Sequence, residues 1–172
     1  RTQDNVKTNT EQSQPGQGAR DYFLDGIDAL DDQEFDEASG FFKKAIALDP
    51  KNLEFQYYLG VAYVRLKRDQ EAREIFESLV RKDPKVYLKA YFDMAAIYAQ
   101  QKDYGKALET LQLATKIDPE NARLSLEEGY AYKNLKQYDK AVQCFERAQT
   151  LDPKLTQLCV YMIGATQLEE EK

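Results

Sequence analysis

Four aspartates, Asp21, Asp25, Asp28 and Asp32, recur at spacings of four, three and four residues, which sets their carboxylates along one face of a helix. Such a row of hard oxygen ligands could hold a divalent cation. The Asp-x-Asp-x-Asp-Gly pattern of a calcium loop is absent, and so is the rest of a catalytic inventory. The chain contains no histidine, which removes the usual general base near neutral pH and the commonest zinc and iron ligand. Its two cysteines, Cys144 and Cys159, lack the paired spacing of a zinc site. They read as buried small apolar residues of a reduced protein. A disulfide between adjacent helices is the alternative, and the Cα separation decides it. No glycine-rich phosphate loop occurs. No catalytic, cofactor-binding or metal site is expected, and the chain reads as non-enzymatic.

The elements that position these residues are helices. With 172 residues, 42% of them apolar and 12% aromatic, the chain can bury a core. No stretch alternates apolar and polar residues between turn dipeptides, as a half-buried strand would. No apolar run is long enough to span a membrane. A net charge of -6 and a pI near 4.9 argue against nucleic acid as partner, because that binding rests on neutralising phosphates with Lys and Arg. No signal segment opens the sequence. The chain starts at Arg1 rather than Met, so the compartment stays open between a bacterial cell envelope or periplasm and the cytoplasm.

A phrase recurs. Residues 41–50 read FFKKAIALDP and residues 144–153 read CFERAQTLDP, with versions ending at Pro84 and Pro119 between them, so that the prolines fall 34, 35 and 34 residues apart. A period in this range means stacked supersecondary units. Setting proline at position 32 of a 34-residue unit divides the chain into 19–52, 53–86, 88–121 and 122–155, with Tyr87 inserted. Position 8 then holds Gly26, Gly60, Ala95 and Gly129; position 20 holds Ala38, Ala72, Ala107 and Ala141; position 24 holds Phe42, Phe76, Leu111 and Phe145. Small residues recur where two helices of a hairpin touch. Glycine inside a helix costs about 0.5–1 kcal/mol relative to alanine, so three at one register position imply that a larger side chain there costs more. Each Asp-Pro pair closes a unit, because the residue before proline is pushed out of the α region and proline cannot continue a helix interior, although it can sit in the first turn of the next helix.

In this register the sequence resembles the tetratricopeptide repeat family, whose pattern is met by Gly60, Tyr63, Ala72, Phe76 and Pro84 in the second unit. Gly129, Tyr132, Ala141, Phe145, Ala148 and Pro153 meet it in the fourth. Departures are local: Ala29 at position 11, Leu79 at position 27 and Asp69 at position 17. The resemblance implies an all-α, right-handed solenoid of four helix-turn-helix units plus a C-terminal helix. It also implies a non-catalytic adaptor or scaffold that binds a protein or peptide segment. A structural or oligomerising segment of a longer array, or a regulatory domain of a larger protein, is the alternative.

The family's groove positions fall in this chain on Phe23, Ile27, Tyr57, Val61, Arg65, Lys89, Phe92, Arg123, Leu126, Tyr130 and Asn134, with Arg20 and Lys133 nearby. The expected groove is apolar, aromatic and locally basic. The chaperone-tail clamp of the family does not carry over. Its five positions hold Phe23, Ile27, Tyr58, Lys89 and Asp93 from the first unit, or Tyr57, Val61, Asp93, Arg123 and Glu127 from the second, and only the basic residue at position 2 survives.

The register also explains the aspartates. They occupy positions 3, 7, 10 and 14 of the first unit, which face the preceding unit elsewhere, and a solenoid end needs a polar face. Residues 1–18 form a polar leader too poor in apolar side chains to fold alone; docking into a groove is its sharper alternative. Residues 156–172 read as a capping helix or the first helix of a fifth unit. Counted from Thr156, Leu158, Met162 and Ala165 are expected to stack on the fourth unit. Cys159, Tyr161 and Ile163 would then form an uncovered apolar strip. A second helix encoded after Lys172, or the same helix of a symmetry-related copy forming a homodimer, is expected to cover it.

Overall fold

The computed structural model describes residues 18–171; of the polar leader, residues 1–17 lie outside the described residues. The described chain is a solenoid of helices: α1 (Ala19–Asp31), α2 (Phe35–Leu48), α3 (Leu53–Arg65), α4 (Asp69–Lys82), α5 (Leu88–Gln100), α6 (Tyr104–Ile117), α7 (Ala122–Asn134), α8 (Tyr138–Leu151) and α9 (Thr156–Glu170), the last preceded by a 3-10 turn at Pro153–Leu155. Each helix packs on its neighbours in sequence. No strand occurs among the described residues.

Local chemistry sets the ends. Asn52 and Asn121 cap α3 and α7, their side-chain oxygens accepting from Glu54 N at 3.0 Å and Arg123 N at 3.1 Å. Such a cap contributes about 1 kcal/mol. Asp49, Asp83, Asp118 and Asp152 leave the helical region at φ of -136°, -150°, -133° and -134°, as the residue before proline must. Pro153 opens the 3-10 turn, whereas Pro50, Pro84 and Pro119 lie in the turns before the next helix rather than in its first turn. Between paired helices, Gln33, Lys67, Lys102 and Lys136 adopt φ of 64°, 61°, 60° and 58°. Glu34, Arg68, Asp103 and Gln137 then donate back to Ala29, Tyr63, Tyr98 and Tyr132 carbonyls, the left-handed closure that stops a helix and satisfies its last carbonyls.

The core follows the small-residue register. Phe42, Phe76 and Phe145 are fully buried, each with its ring on the glycine of the partner helix. A Cβ on Gly26, Gly60 or Gly129 would come within 2.5, 2.6 or 2.5 Å of that ring. Of the four aspartates, Asp21, Asp28 and Asp32 are exposed and Asp25 is half-buried. Asp21 caps its own helix by accepting from Gly18 N at 2.9 Å. Among the described residues no group of carboxylates and thiols comes together as a metal site.

The C-terminal helix departs from expectation. Cys159 and Thr166 are fully buried on α8, with Met162 and Ile163 beside them, whereas Leu158 is 40% exposed. The stacking residues are therefore Cys159, Met162, Ile163 and Thr166: Met162 packs as counted from Thr156, whereas Cys159 and Thr166 replace Leu158 and Ala165, one place later. The 3-10 turn absorbs the extra residue, and its Leu155 docks in the same cluster. In this corrected register Gly164 takes the place held by Gly26, Gly60 and Gly129. Cys159 and Ile163 do not belong to an uncovered strip; of the three residues named there, Tyr161 alone is exposed. Both cysteines are free thiols, and burial pushes Cys144 up to about 11.

Candidate functional site

The first helices α3, α5 and α7 lie side by side and carry most of the residues expected to line a groove. Their rings are used unequally. Phe23 stacks on Phe55 with centroids 5.0 Å apart, and Phe23, Tyr57 and Leu126 are buried between neighbouring helices. Ile27, Val61, Phe92 and Tyr130 are half-buried, and Arg65, Lys89, Arg123 and Asn134 are exposed. The reachable surface is thus narrower than the full set: Phe92, Val61, Ile27 and Tyr130 with a fringe of charge.

A cavity of about 170 Å³ opens among α5, α6 and α7, lined by Phe92, Ala95, Ala96, Ala99, Leu111 and Tyr130, with Asp93, Arg123, Glu127 and Asn134 among its polar lining residues. Its origin is legible in the register. The other three units pair glycine with phenylalanine at positions 8 and 24, whereas the third has Ala95 and Leu111, which loses the ring that fills the hairpin elsewhere. Positions 9 and 12 are small here too, Ala96 and Ala99, where the other units carry Ile27, Val61 and Tyr130 and then Leu30, Val64 and Lys133. The volume is below the roughly 300–1,000 Å³ of small-molecule pockets and suits one apolar side chain.

The rim is not simply basic. Tyr57 Oη donates to Asp93 Oδ2 at 2.7 Å, and Lys89 Nζ stands 3.7 Å from the centre of the Tyr57 ring. Arg123 lies over Phe92 at 4.6 Å and 3.8 Å from Glu127. Asp93 and Glu127, both at position 6, fall outside the sequence-derived groove because that set draws on positions 2, 5, 9, 12 and 13; the acidic residues themselves are plain to read. Burial raises both carboxyls above the ordinary range. The Tyr57 hydroxyl, Lys89, Arg123 and Arg65 oppose the rise at Asp93, and Arg123 opposes it at Glu127.

A pKa raised in the folded state means that the charged form is penalised by folding. The associated stability is fully present below the unfolded carboxylate value of about 4 and is lost as pH rises through the folded value. Glu127→Gln and Asp93→Asn are therefore expected to raise the melting temperature at pH 7, with the gain shrinking toward zero near pH 4. Thermal melts at the two pH values check this, and an equal gain at both would show that charge is not the cause.

Models of the tetratricopeptide repeat match residues 29–97, 88–121 and 126–155. Among curated proteins, the Hsp70-Hsp90 organizing protein of Triticum aestivum is 29% identical over 99 residues, covering 58% of this chain and 17% of that protein. The BBSome complex member BBS4 homolog of Drosophila melanogaster is 30% identical over 110 residues, covering 57% of this chain and 22% of that one. The matched stretches are thus a minor part of these relatives. Among solved structures, MamA from Desulfovibrio magneticus RS-1 superposes with a TM-score of 0.76 at 23% identity, covering 91% of this chain and 87% of that one. A thermophilic TPR protein of Thermus thermophilus gives 0.64 at 21% identity over 89% and 90%. At these identities the structural likeness is one of fold. No helix among the described residues is long and apolar enough to cross a membrane.

Proposed function

We propose that this chain, which belongs to the tetratricopeptide repeat family, is a non-catalytic protein-interaction module that holds a peptide segment along α3, α5 and α7, with one apolar side chain of the peptide in the cavity at Ala96. The observation that carries the reading is the cavity itself. It lies where the third unit departs from the glycine and phenylalanine pairing, so the core gives up a ring beside a surface from which a ligand side chain can replace it. The mixed rim then orients the peptide: Arg123 and Lys89 offer donors, while Asp93 and Glu127 offer acceptors beside them. Apolar burial supplies most of the affinity, and the charges chiefly set register and partner choice. Nucleic acid is not a partner in this reading, since the net charge is -6 and the cations of the rim stand next to carboxylates.

Panning a library of linear peptides on the wild-type chain, with Ala96→Trp as the filled-cavity control, tests it. Ala96 is exposed, so the bulky replacement leaves the fold intact. Selected peptides are expected to share an apolar anchor and to bind Ala96→Trp about tenfold or more weakly, a loss of about 1.4 kcal/mol. Raising salt is expected to weaken them only modestly. Peptides that bind both forms equally, or that salt alone releases, would overturn the reading.

A further inference from the structure

Gly164 is an empty version of a socket that is filled three times in the same molecule. At Gly26, Gly60 and Gly129 an added Cβ would strike a phenylalanine ring of the next helix at 2.5–2.6 Å, whereas at Gly164 nothing lies within 4 Å. Around it on α9 stand Val160, Tyr161 and Leu168, exposed by 58%, 70% and 63%. At 3.6 residues per turn these four share an arc roughly 100° wide, turned away from the Cys159 and Thr166 face that packs on α8. The residues corresponding to Tyr161 in the other units are Phe23, Tyr57, Phe92 and Leu126, all buried or half-buried.

We propose that this face is the interface of a homodimer in which two copies of α9 cross antiparallel about a two-fold axis, the Tyr161 ring of each seated on Gly164 of the other. Two features select a second copy as the occupant. The filled sockets each take an aromatic ring from the second helix of their own hairpin, whereas here the exposed Tyr161 ring stands one turn from its own empty socket, where a second copy can supply it. A two-fold axis satisfies both at once, because residue i of one copy meets residue j of the other and the reverse. Charge fixes the direction. The charged residues of α9 are Glu169 and Glu170, followed by Glu171 at its cap, while Lys154 lies just before its start. A parallel pair would set six carboxylates together; an antiparallel pair brings each acidic end to the partner's Lys154 and to the positive end of its helix. Glu169 is paired with Lys133 of its own copy at 2.9 Å, which leaves Glu170 and Glu171 to meet the partner's Lys154. One helix pair buries less than the roughly 1,200–2,000 Å² of a tight complex, so the dimer is a weak one.

Sedimentation equilibrium of the 172-residue chain from roughly 1 µM to 1 mM tests this. The expected result is reversible dimerisation in the micromolar range for the wild type. Tyr161→Glu and Gly164→Arg each weaken it by at least tenfold while helicity by circular dichroism is unchanged, since neither side chain is part of the core. Ala96→Trp should dimerise like the wild type, which separates this result from the fate of the groove reading. A wild type that stays monomeric throughout, or a dimer that survives Tyr161→Glu, overturns the proposal. So does a monomer that instead binds a synthetic α4 helix at Gly164, which would assign the face to a foreign second helix.

Discussion

Replacing Gly60 with leucine is expected to lower stability by about 3 kcal/mol, the upper end of the usual range for overpacking a core, and even alanine at this position is expected to destabilise. In an ordinary helix interior glycine to alanine gains about 1 kcal/mol. At Gly60 the new Cβ would stand 2.6 Å from Cε1 of Phe76. That ring cannot retreat: it is fully buried, as are Ala72 and Leu79 on the same helix, and the Tyr57 ring stands 5.7 Å away. Gly40 is the internal control. It too lies inside a helix, α2, but nothing would meet a Cβ there within 4 Å, so Gly40→Ala should stabilise by about 0.5–1 kcal/mol. Urea unfolding midpoints of the three variants decide the matter. Stabilisation at both glycines would remove steric contact as the reason for the register.

That glycine register was legible in the sequence because it couples two residues sixteen apart whose volumes compensate, and the compensation repeats. The cavity was less legible, since Leu111 for phenylalanine and Ala95 for glycine each look like a tolerable departure. Only their joint placement with Ala96 and Ala99 leaves a hole. The one-residue slip at α9 came from fixing the register on Pro153, when the 3-10 turn after that proline takes up a residue. Gly164 carried the correction, being the small residue that position 8 demands. The burial of Phe23, Tyr57 and Leu126 was not readable from residue type, because an aromatic ring on a first helix serves a groove or a neighbouring helix with equal chemical sense. Packing angle decides between them, and the sequence does not state it. The left-handed residues Gln33, Lys67, Lys102 and Lys136 left no signal of the usual kind, since none is glycine or asparagine.

Phe145→Ala and Phe76→Ala remove the same ring from the same kind of socket, and each is expected to cost about 3–5 kcal/mol, yet their consequences should differ in reach. In a stack of hairpins each unit touches only its neighbours, so stability is a sum of local and nearest-neighbour contributions. Phe76 belongs to the long cluster that runs from Phe23 to Leu124 and has packed helices on both sides. Phe145 belongs to a separate, smaller cluster with Leu126, Ala141, Ala148 and Cys159. Without that ring the smaller cluster loses its largest fully buried side chain, and α9 loses its platform, because its own buried face rests on α8. Native-state amide exchange reads this directly. Phe145→Ala should strip protection from α8 and α9 while α1 to α4 exchange as in the wild type, whereas Phe76→Ala should lower protection on both sides of α4. If Phe145→Ala deprotects α1 to α4 as much as α8 and α9, the chain unfolds as one cooperative unit, and the two clusters act energetically as a single core despite the break between them.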